Sequence, residues 1–328
     1  MTSKAKIKRV GLLTSGGDAP GMNAAIRAVV RMAHYKDIQP VGFKRGYAGL
    51  IQNDWIDLGP RDVSNILQRG GTVLKTCRCP EFEKKAGILK AVSVLEQNEM
   101  DALIVIGGNG TYRGAIELGK HWRGRIAGIP GTIDNDLYGT DSTIGYDTAV
   151  NTALESIDKI RDTADSHDRF FLVEVMGRHA GYIALNVGIA GGAEEVLIPE
   201  VKTPVSKVCH NLFAGKGKGK TSSILVVAEG NKTGGALQTA RELEALCGNE
   251  YRVVILGHVQ RGGSPSAADR ILGTELGAFA LETLLKGKTG VAVGKVGGKL
   301  INTPLPTACV KRKKLDSYLL KLLPILAT

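Results

Sequence analysis

The feature that most constrains this chain is a recurring pattern. Short runs of valine, isoleucine and leucine end in glycine-rich turns, and each leads into a longer segment of helical periodicity. A run that stays apolar at successive positions has no polar face to offer water, so it predicts a strand covered on both sides. Several such strands predict an α/β fold with a mostly parallel sheet. The strands are predicted near Val10–Thr14, Leu103–Ile106, Ile126–Ile129, Phe170–Val175, Ile224–Ala228 and Val253–Leu256. Helices are predicted over Met22–Ala33, Gly110–Leu118, Tyr146–Thr163, Ala180–Ala190 and Ala267–Leu285. Sheets of this kind bind ligands beyond the carboxyl ends of their strands, where the glycine turns fall. The 43 glycines are well above average usage, and they predict backbone turns that approach something closely.

At 328 residues the chain has material for about two domains. A net charge of +11 favours anionic partners, but the lysines fall in short runs, Lys4–Arg9, Lys216–Lys220 and Lys311–Lys314, with no aromatic residues between them to stack on bases. Those runs are read as solvated faces, which argues against nucleic acid. The apolar stretches are too short to span a bilayer and the N-terminus lacks a signal-peptide pattern, so a cytoplasmic protein without membrane contact is expected. Five scattered cysteines, Cys77, Cys79, Cys209, Cys247 and Cys309, are expected to be free thiols.

Four segments carry candidate chemistry. In TSGGDAPGMNAAIR a strand ends at Thr14, Gly16 and Gly17 turn the chain, and a helix begins near Gly21, so a phosphate could sit on the loop. A tight turn capped by Asp18 explains the same residues. DALIVIGGNGTYRGA repeats the strand, glycine turn and helix, but lacks the spacing of a dinucleotide site. IPGTIDNDLYGTDSTIGYDTA places Asp134 and Asp136 two apart, on one face if the segment is extended, as metal-phosphate chemistry would use and as a plain Asp-Asn-Asp turn would also display. A basic set, Arg169, Arg178, Arg252, His258 and Arg261, offers guanidinium forks matched to phosphate oxygens, although any one of them could be a surface ion pair. The run AGKGKGKT at Ala214–Thr221 mimics a P-loop, yet it follows a helical segment and leads into a strand, the reverse of what a P-loop requires.

In order along the chain, TSGGDAPGMNAAIR, RGGT, IGGNGT, PGTIDND, VEVMGR and GHVQRGGSP resemble the bacterial ATP-dependent 6-phosphofructokinase family over nearly the whole sequence. The resemblance implies two Rossmann-like three-layer α/β domains with largely parallel sheets and an active-site cleft between them. The larger, ATP-binding domain would comprise residues 1–145 plus 258–305, and the smaller, fructose-6-phosphate-binding domain residues 146–257 plus 306–328. It also implies transfer of the γ-phosphoryl group of ATP to the 1-hydroxyl of fructose 6-phosphate, the committed step of glycolysis, with Mg²⁺ as cofactor. Asp134 would be the general base, Thr132 and Asp136 its neighbours, Arg178 the stabiliser of the transferring group and Arg78 a bridge between substrates. ATP would contact Gly17, Arg78, Cys79, Gly108, Asn109, Gly110 and Thr111. The sugar phosphate would contact Thr132, Asp134, Asp136, Met176, Gly177, Arg178, Glu229, His258 and Arg261, with Arg169 and Arg252 reaching in from another subunit of a homotetramer. Gly110 and Gly131 stand where pyrophosphate-dependent relatives carry Asp and Lys, and both favour ATP as donor.

The resemblance also marks departures. Asn109 replaces the aspartate that supports Mg²⁺ in the family's GGDG loop, which keeps an oxygen ligand, removes a charge and predicts weaker use of the metal. An effector site for ADP or phosphoenolpyruvate is implied at Arg27, Arg31, Arg161, Glu194, Lys218 and Lys220, but Asp54 stands in place of an arginine, and Gly59 and Ser222 replace an acid and a histidine. A weakened allosteric response is therefore expected. Two other classes compete with the kinase. A non-catalytic sensor could keep the site while losing the metal, and a nucleic-acid binder would use the positive charge and bind with steep salt dependence.

Overall fold

The computed structural model describes residues 6–216, 221–232 and 234–326. In chain order the elements are β1 (Arg9–Ser15), α1 (Met22–Tyr35), β2 (Gln39–Phe43), α2 (Tyr47–Gln52), β3 (Trp55–Asp57), α3 (Lys85–Gln97), β4 (Ala102–Gly107), α4 (Asn109–Gly119) and β5 (Arg125–Pro130). There follow α5 (Tyr146–His167), β6 (Phe170–Val175), α6 (Tyr182–Ala190), β7 (Glu195–Leu197), α7 (Val205–Lys216), β8 (Ser223–Ala228), α8 (Gly235–Cys247) and β9 (Tyr251–Ile255). The chain closes with α9 (Ala267–Leu285), β10 (Val291–Val296), β11 (Lys299–Pro304), α10 (Leu305–Val310) and α11 (Ser317–Leu326).

The chain forms two compact units. The first holds the residues through Ile133, Leu137–Asp147 and Arg261–Lys313; the second holds Asp134–Asp136, Thr148–Gln260 and the residues from Lys314 onward. The chain thus crosses between units repeatedly, and one crossing falls between Ile133 and Asp134. Compared with the expected division, α10 belongs to the first unit, because it packs on α4 and continues directly from the edge strand β11.

The first unit is built on a seven-stranded sheet in the order β11-β10-β5-β4-β1-β2-β3. Its five inner strands run parallel, and the edges β3 and β11 run antiparallel to their neighbours. The central strands β1 and β4 are the most completely buried, with Leu12, Leu13, Leu103, Ile104, Val105 and Ile106 fully covered. Helix-borne side chains such as Tyr112, Leu95 and Leu118 complete the core on one face. Because β2 lies on one side of β1 and β4 on the other, the sheet has its topological switch point between β1 and β4, the place where sheets of this kind bind ligands.

The second unit has a four-stranded parallel sheet in the order β7-β8-β6-β9. A core of Leu172, Leu225, Val227, Val208, Leu212 and Leu243 lies between this sheet and the helices α7 and α8. Cys209 of α7 and Cys247 of α8 are joined as a disulfide, with Cα atoms 5.9 Å apart. The expectation of five free thiols is therefore corrected: Cys77, Cys79 and Cys309 are free, and the other pair escapes notice in sequence because packing two helices side by side brings together residues 38 apart. Thiol titration in denaturant without reductant is expected to count three thiols, and a count of five would contradict the cross-link. Among the described residues no helix is long and apolar enough to cross a membrane.

Candidate active site

In the first unit, the loops after β1 and β4 meet at the switch point. Thr111, in the first turn of α4, donates its hydroxyl to the Ser15 carbonyl at 2.9 Å, and the Tyr47 hydroxyl donates to the Thr111 carbonyl at 2.6 Å. The two loops are thereby locked together, and the buried Thr111 hydroxyl is used for structure. Thr76 donates to the Gly16 carbonyl at 2.5 Å, while the fully buried Asn23 holds the RGGT segment through the carbonyls of Arg69 and Gly71 and the amide of Val73. Over Gly110 there is open space: a side chain added there would meet nothing within 4 Å. The start of α4 therefore presents backbone amides and a favourable dipole to an unobstructed volume, which suits an anion. Gly131 differs, since a Cβ there would come within 2.9 Å of the Met22 side chain and 3.0 Å of Ile106. Packing alone demands that glycine.

Thr132 sits beside this loop. Its side chain lies 3.5 Å from where a Gly108 Cβ would be, and its carbonyl accepts from the Thr143 hydroxyl at 2.5 Å. Arg261, also in this unit, lays its guanidinium over Gly17 and donates to the Asp18 carbonyl at 3.1 Å. A Cβ on Gly17 would lie 2.5 Å from the Arg261 Nη1, so the glycine is what admits the arginine. Arg78 is exposed, and Cys79 is partly buried against the core beneath α4; burial pushes the Cys79 thiol up, and nearby Cys77 and Glu81 add to that.

In the second unit the candidates gather at the carboxyl ends of β6, β8 and β9. After β6 come Met176, Gly177 and Arg178, the last two with φ of 140° and 57°. The Arg178 amide donates to Glu229, which follows β8, at 2.6 Å, and the Glu229 amide donates to the Val175 carbonyl at 2.9 Å. His258 follows β9, exposed on a short 3-10 turn. Asp134 is buried at 7% exposure, Asp136 is partly buried, and Asn135 between them has φ of 53°. The segment is thus a turn and not the extended strand that would have put both carboxylates on one face by alternation, and asparagine is a residue that tolerates this left-handed conformation. Burial raises the pKa of the Tyr182 hydroxyl, with the charges of Glu200 and Asp136 nearby adding to the shift.

The profile of the family described as "Phosphofructokinase" matches residues 9–284. The chain belongs to the phosphofructokinase family. It is 54% identical over 321 residues to ATP-dependent 6-phosphofructokinase 1 of Thermus thermophilus, covering 98% of this chain and 100% of that one. It is 52% identical over 296 residues to ATP-dependent 6-phosphofructokinase of Bacillus subtilis, covering 90% and 92%. Among solved structures, phosphofructokinase from Saccharomyces cerevisiae superposes with a TM-score of 0.85 at 36% identity; 92% of this chain is covered, and it spans 45% of the yeast chain. A pyrophosphate-dependent phosphofructokinase from Marinobacter aquaeolei shares the fold, with a TM-score of 0.82 at 23% identity over 95% of this chain and 86% of that one. The α/β, two-unit reading of the sequence is the phosphofructokinase fold.

The remaining residues singled out through the phosphofructokinase resemblance lie elsewhere. Arg169 precedes β6 and Arg252 is the second residue of β9, so both stand at the amino edge of the second sheet, roughly 17 Å along β6 from Arg178 and its neighbours. Arg252 pairs with Glu250 at 3.1 Å. Of the effector set, Arg161 donates to the carbonyls of Gly191 and Gly192 at 2.6 and 2.8 Å and lies 4.0 Å from Glu194, so these two come together at the C-terminal end of α6. Arg27 and Arg31 lie one turn apart on α1 in the other unit, and Lys218 and Lys220 lie outside the described residues. Asp54 pairs with Arg45 at 2.7 Å and lies 4.0 Å from Lys44, so two cations already meet the charge expected to repel an anion. The Gly59 amide donates to Asp62, and the Ser222 hydroxyl donates to Asp165. Sequence reading missed Gln260 and Glu200, which hold the Arg178 loop; Gln260 lies inside GHVQRGGSP, between His258 and Arg261, but an amide side chain carries no chemistry that would single it out.

Proposed function

We propose that this chain is an ATP-dependent 6-phosphofructokinase that transfers the γ-phosphoryl group of ATP to the 1-hydroxyl of fructose 6-phosphate. The observation that carries the reading is the placement of Asp134: a buried carboxylate on a tight turn, two residues after Thr132, whose side chain lies against the glycine loop that opens α4. The phosphates of ATP would lie on the α4 loop and near Gly17, with Arg78 and Cys79 along the nucleotide. The sugar phosphate would lie against Met176, Gly177, Arg178, Glu229 and His258, and Arg261 is the further residue proposed for it. Asp134 takes the proton of the 1-hydroxyl, Thr132 and Asp136 orient that group, and Arg178 offers its fork to charge that develops on the transferring oxygens. Positioning and charge neutralisation do most of the work in such transfers.

Among the described residues no three His, Cys, Asp or Glu side chains gather as a metal cage. The site fits an ion that arrives on the phosphates, keeps several waters and takes one or two protein oxygens, one of which Asn109 at the start of α4 would supply. Mg²⁺ held in this way would supply charge neutralisation to the phosphates. The open space over Gly110 supports a nucleotide as donor, whereas the packing around Gly131 requires a glycine there whatever the donor. Arg169 and Arg252 stand too far from Arg178 within one chain, which supports their use by a neighbouring copy; the homotetramer with shared sites follows from the family resemblance. We place the enzyme in glycolysis in the cytoplasm, with ADP or phosphoenolpyruvate as effectors whose pull is reduced by the changes at Gly59 and Ser222.

The test is release of ADP with fructose 6-phosphate while Mg²⁺ is titrated, with ATP or pyrophosphate as donor. Turnover with ATP and not with pyrophosphate is expected. Restoring the carboxylate with Asn109→Asp should lower the Mg²⁺ concentration for half-maximal rate by about three- to tenfold, through one added charge on a hydrated ion. No turnover with either donor at any Mg²⁺, despite ligand binding, would support the sensor instead.

A further inference from the structure

The loop that presents Arg178 is held at three backbone amides by three side chains from three separate parts of the second unit. The Met176 amide donates to Gln260 Oε1 at 2.8 Å, the Arg178 amide to Glu229 at 2.6 Å, and the Gly181 amide to both carboxylate oxygens of Glu200 at 2.9 and 3.1 Å. Gln260 is fully buried and its Nε2 lies 3.5 Å from the Ala149 carbonyl, near the start of α5. Glu200 comes from the segment after β7, and its carboxylate faces the N-cap residue of α6, Gly181. Between these anchors Arg178 has φ of 57°, in a region that L-residues avoid. Strain of this kind persists only where the surroundings over-determine it. Glu229 is already assigned to the sugar phosphate, but Gln260 and Glu200 have no such role, and their acceptor oxygens are spent on the two ends of the loop.

We propose that Gln260 and Glu200 are positioning residues for phosphoryl transfer, fixing Met176 and Gly181 on either side of Arg178 so that its guanidinium is aimed before the substrates arrive. The proposal rests on the reading of Arg178 as the group that meets the transferring phosphoryl. It assigns the two residues to kcat rather than to affinity for ATP, because both lie in the unit that does not carry the α4 loop.

The experiment compares Glu200→Ala, Glu200→Gln and Gln260→Leu in the full chain by steady-state kinetics, and repeats Glu200→Ala in an Arg178→Ala background. Glu200→Ala is expected to lower kcat about tenfold, the size of one charge-assisted hydrogen bond, with KM for ATP unchanged. Glu200→Gln, which keeps an acceptor oxygen, should stay within about threefold of the unmodified chain. Gln260→Leu should lose more, since it also leaves a buried amide without its acceptor; if that variant does not fold, the Glu200 series decides alone. The diagnostic is the double variant: a residue that acts through Arg178 has nothing left to position once the guanidinium is gone, so Glu200→Ala should cost almost nothing in that background. The same tenfold loss in both backgrounds, or a lowered melting temperature with full kcat, overturns the proposal while leaving the kinase reading intact. An unmodified chain without turnover overturns both.

Discussion

Replacing Asp134 by asparagine is expected to lower kcat by about 10²- to 10⁴-fold, the range typical of a lost general base, with KM for fructose 6-phosphate shifted only a few-fold. The two side chains have nearly the same shape, so the turn through Asn135, the burial of position 134 and the place of the sugar should all be kept. What disappears is the ability to accept the proton of the 1-hydroxyl as that oxygen attacks. A loss confined to kcat therefore reports chemistry, whereas a matching rise in KM would report damaged binding. The measurement is steady-state kinetics with the melting temperature recorded alongside. An unchanged kcat would reduce Asp134 to a turn residue, and the functional reading would lose its base.

Gly177→Ala is expected to lower kcat/KM for the sugar phosphate by about 100-fold or more while leaving ATP binding to the folded protein intact. At φ of 140° the backbone of Gly177 lies where only glycine is at ease, and a Cβ there would come within 2.4 Å of the Ala180 carbonyl. The 177–180 turn closes through the Ala180 amide donating to the Gly177 carbonyl at 2.9 Å, so an alanine must break that bond to escape the clash. Arg178 then loses the geometry that its own left-handed φ depends on. A displacement of about 1 Å in a positioning group is enough for a loss of this size. Because the strain is relieved locally, the fold should survive with a modest fall in melting temperature. Kinetics with fructose 6-phosphate and calorimetry with ATP separate the two effects. Full activity in the variant would mean that the shape of this loop is not what aims the arginine.

The parts of the fold that sequence reveals are those where one physical cause dominates. β1, β4, β6 and β8 are fully or nearly fully buried, so their apolar runs stand out, and the start of α9 is marked by Ser266, which caps it through the Asp269 amide. The edge strands β3, β7 and β11 are short or half exposed, and their mixed composition hides them. The glycine loops could be placed at the ends of strands, but that Thr111 is tied to Ser15 and Gly131 is fixed by Met22 depends on neighbours far away in sequence. Likewise Asp134 and Asp136 were legible as a pair, while the turn that separates them is set by the backbone at Asn135. Gln260 and Glu200 act only through backbone amides that the fold brings to them, so residue type gave no hint.

The most direct test of the central claim is to follow γ-labelled ATP in the presence of fructose 6-phosphate and Mg²⁺ and to locate the label in the products by phosphorus NMR. The account predicts label on the 1-position of the sugar in step with ADP, and its disappearance in Asp134→Asn. Label that appears as inorganic phosphate, or an ATP pool left intact while the sugar phosphate is bound, would contradict it.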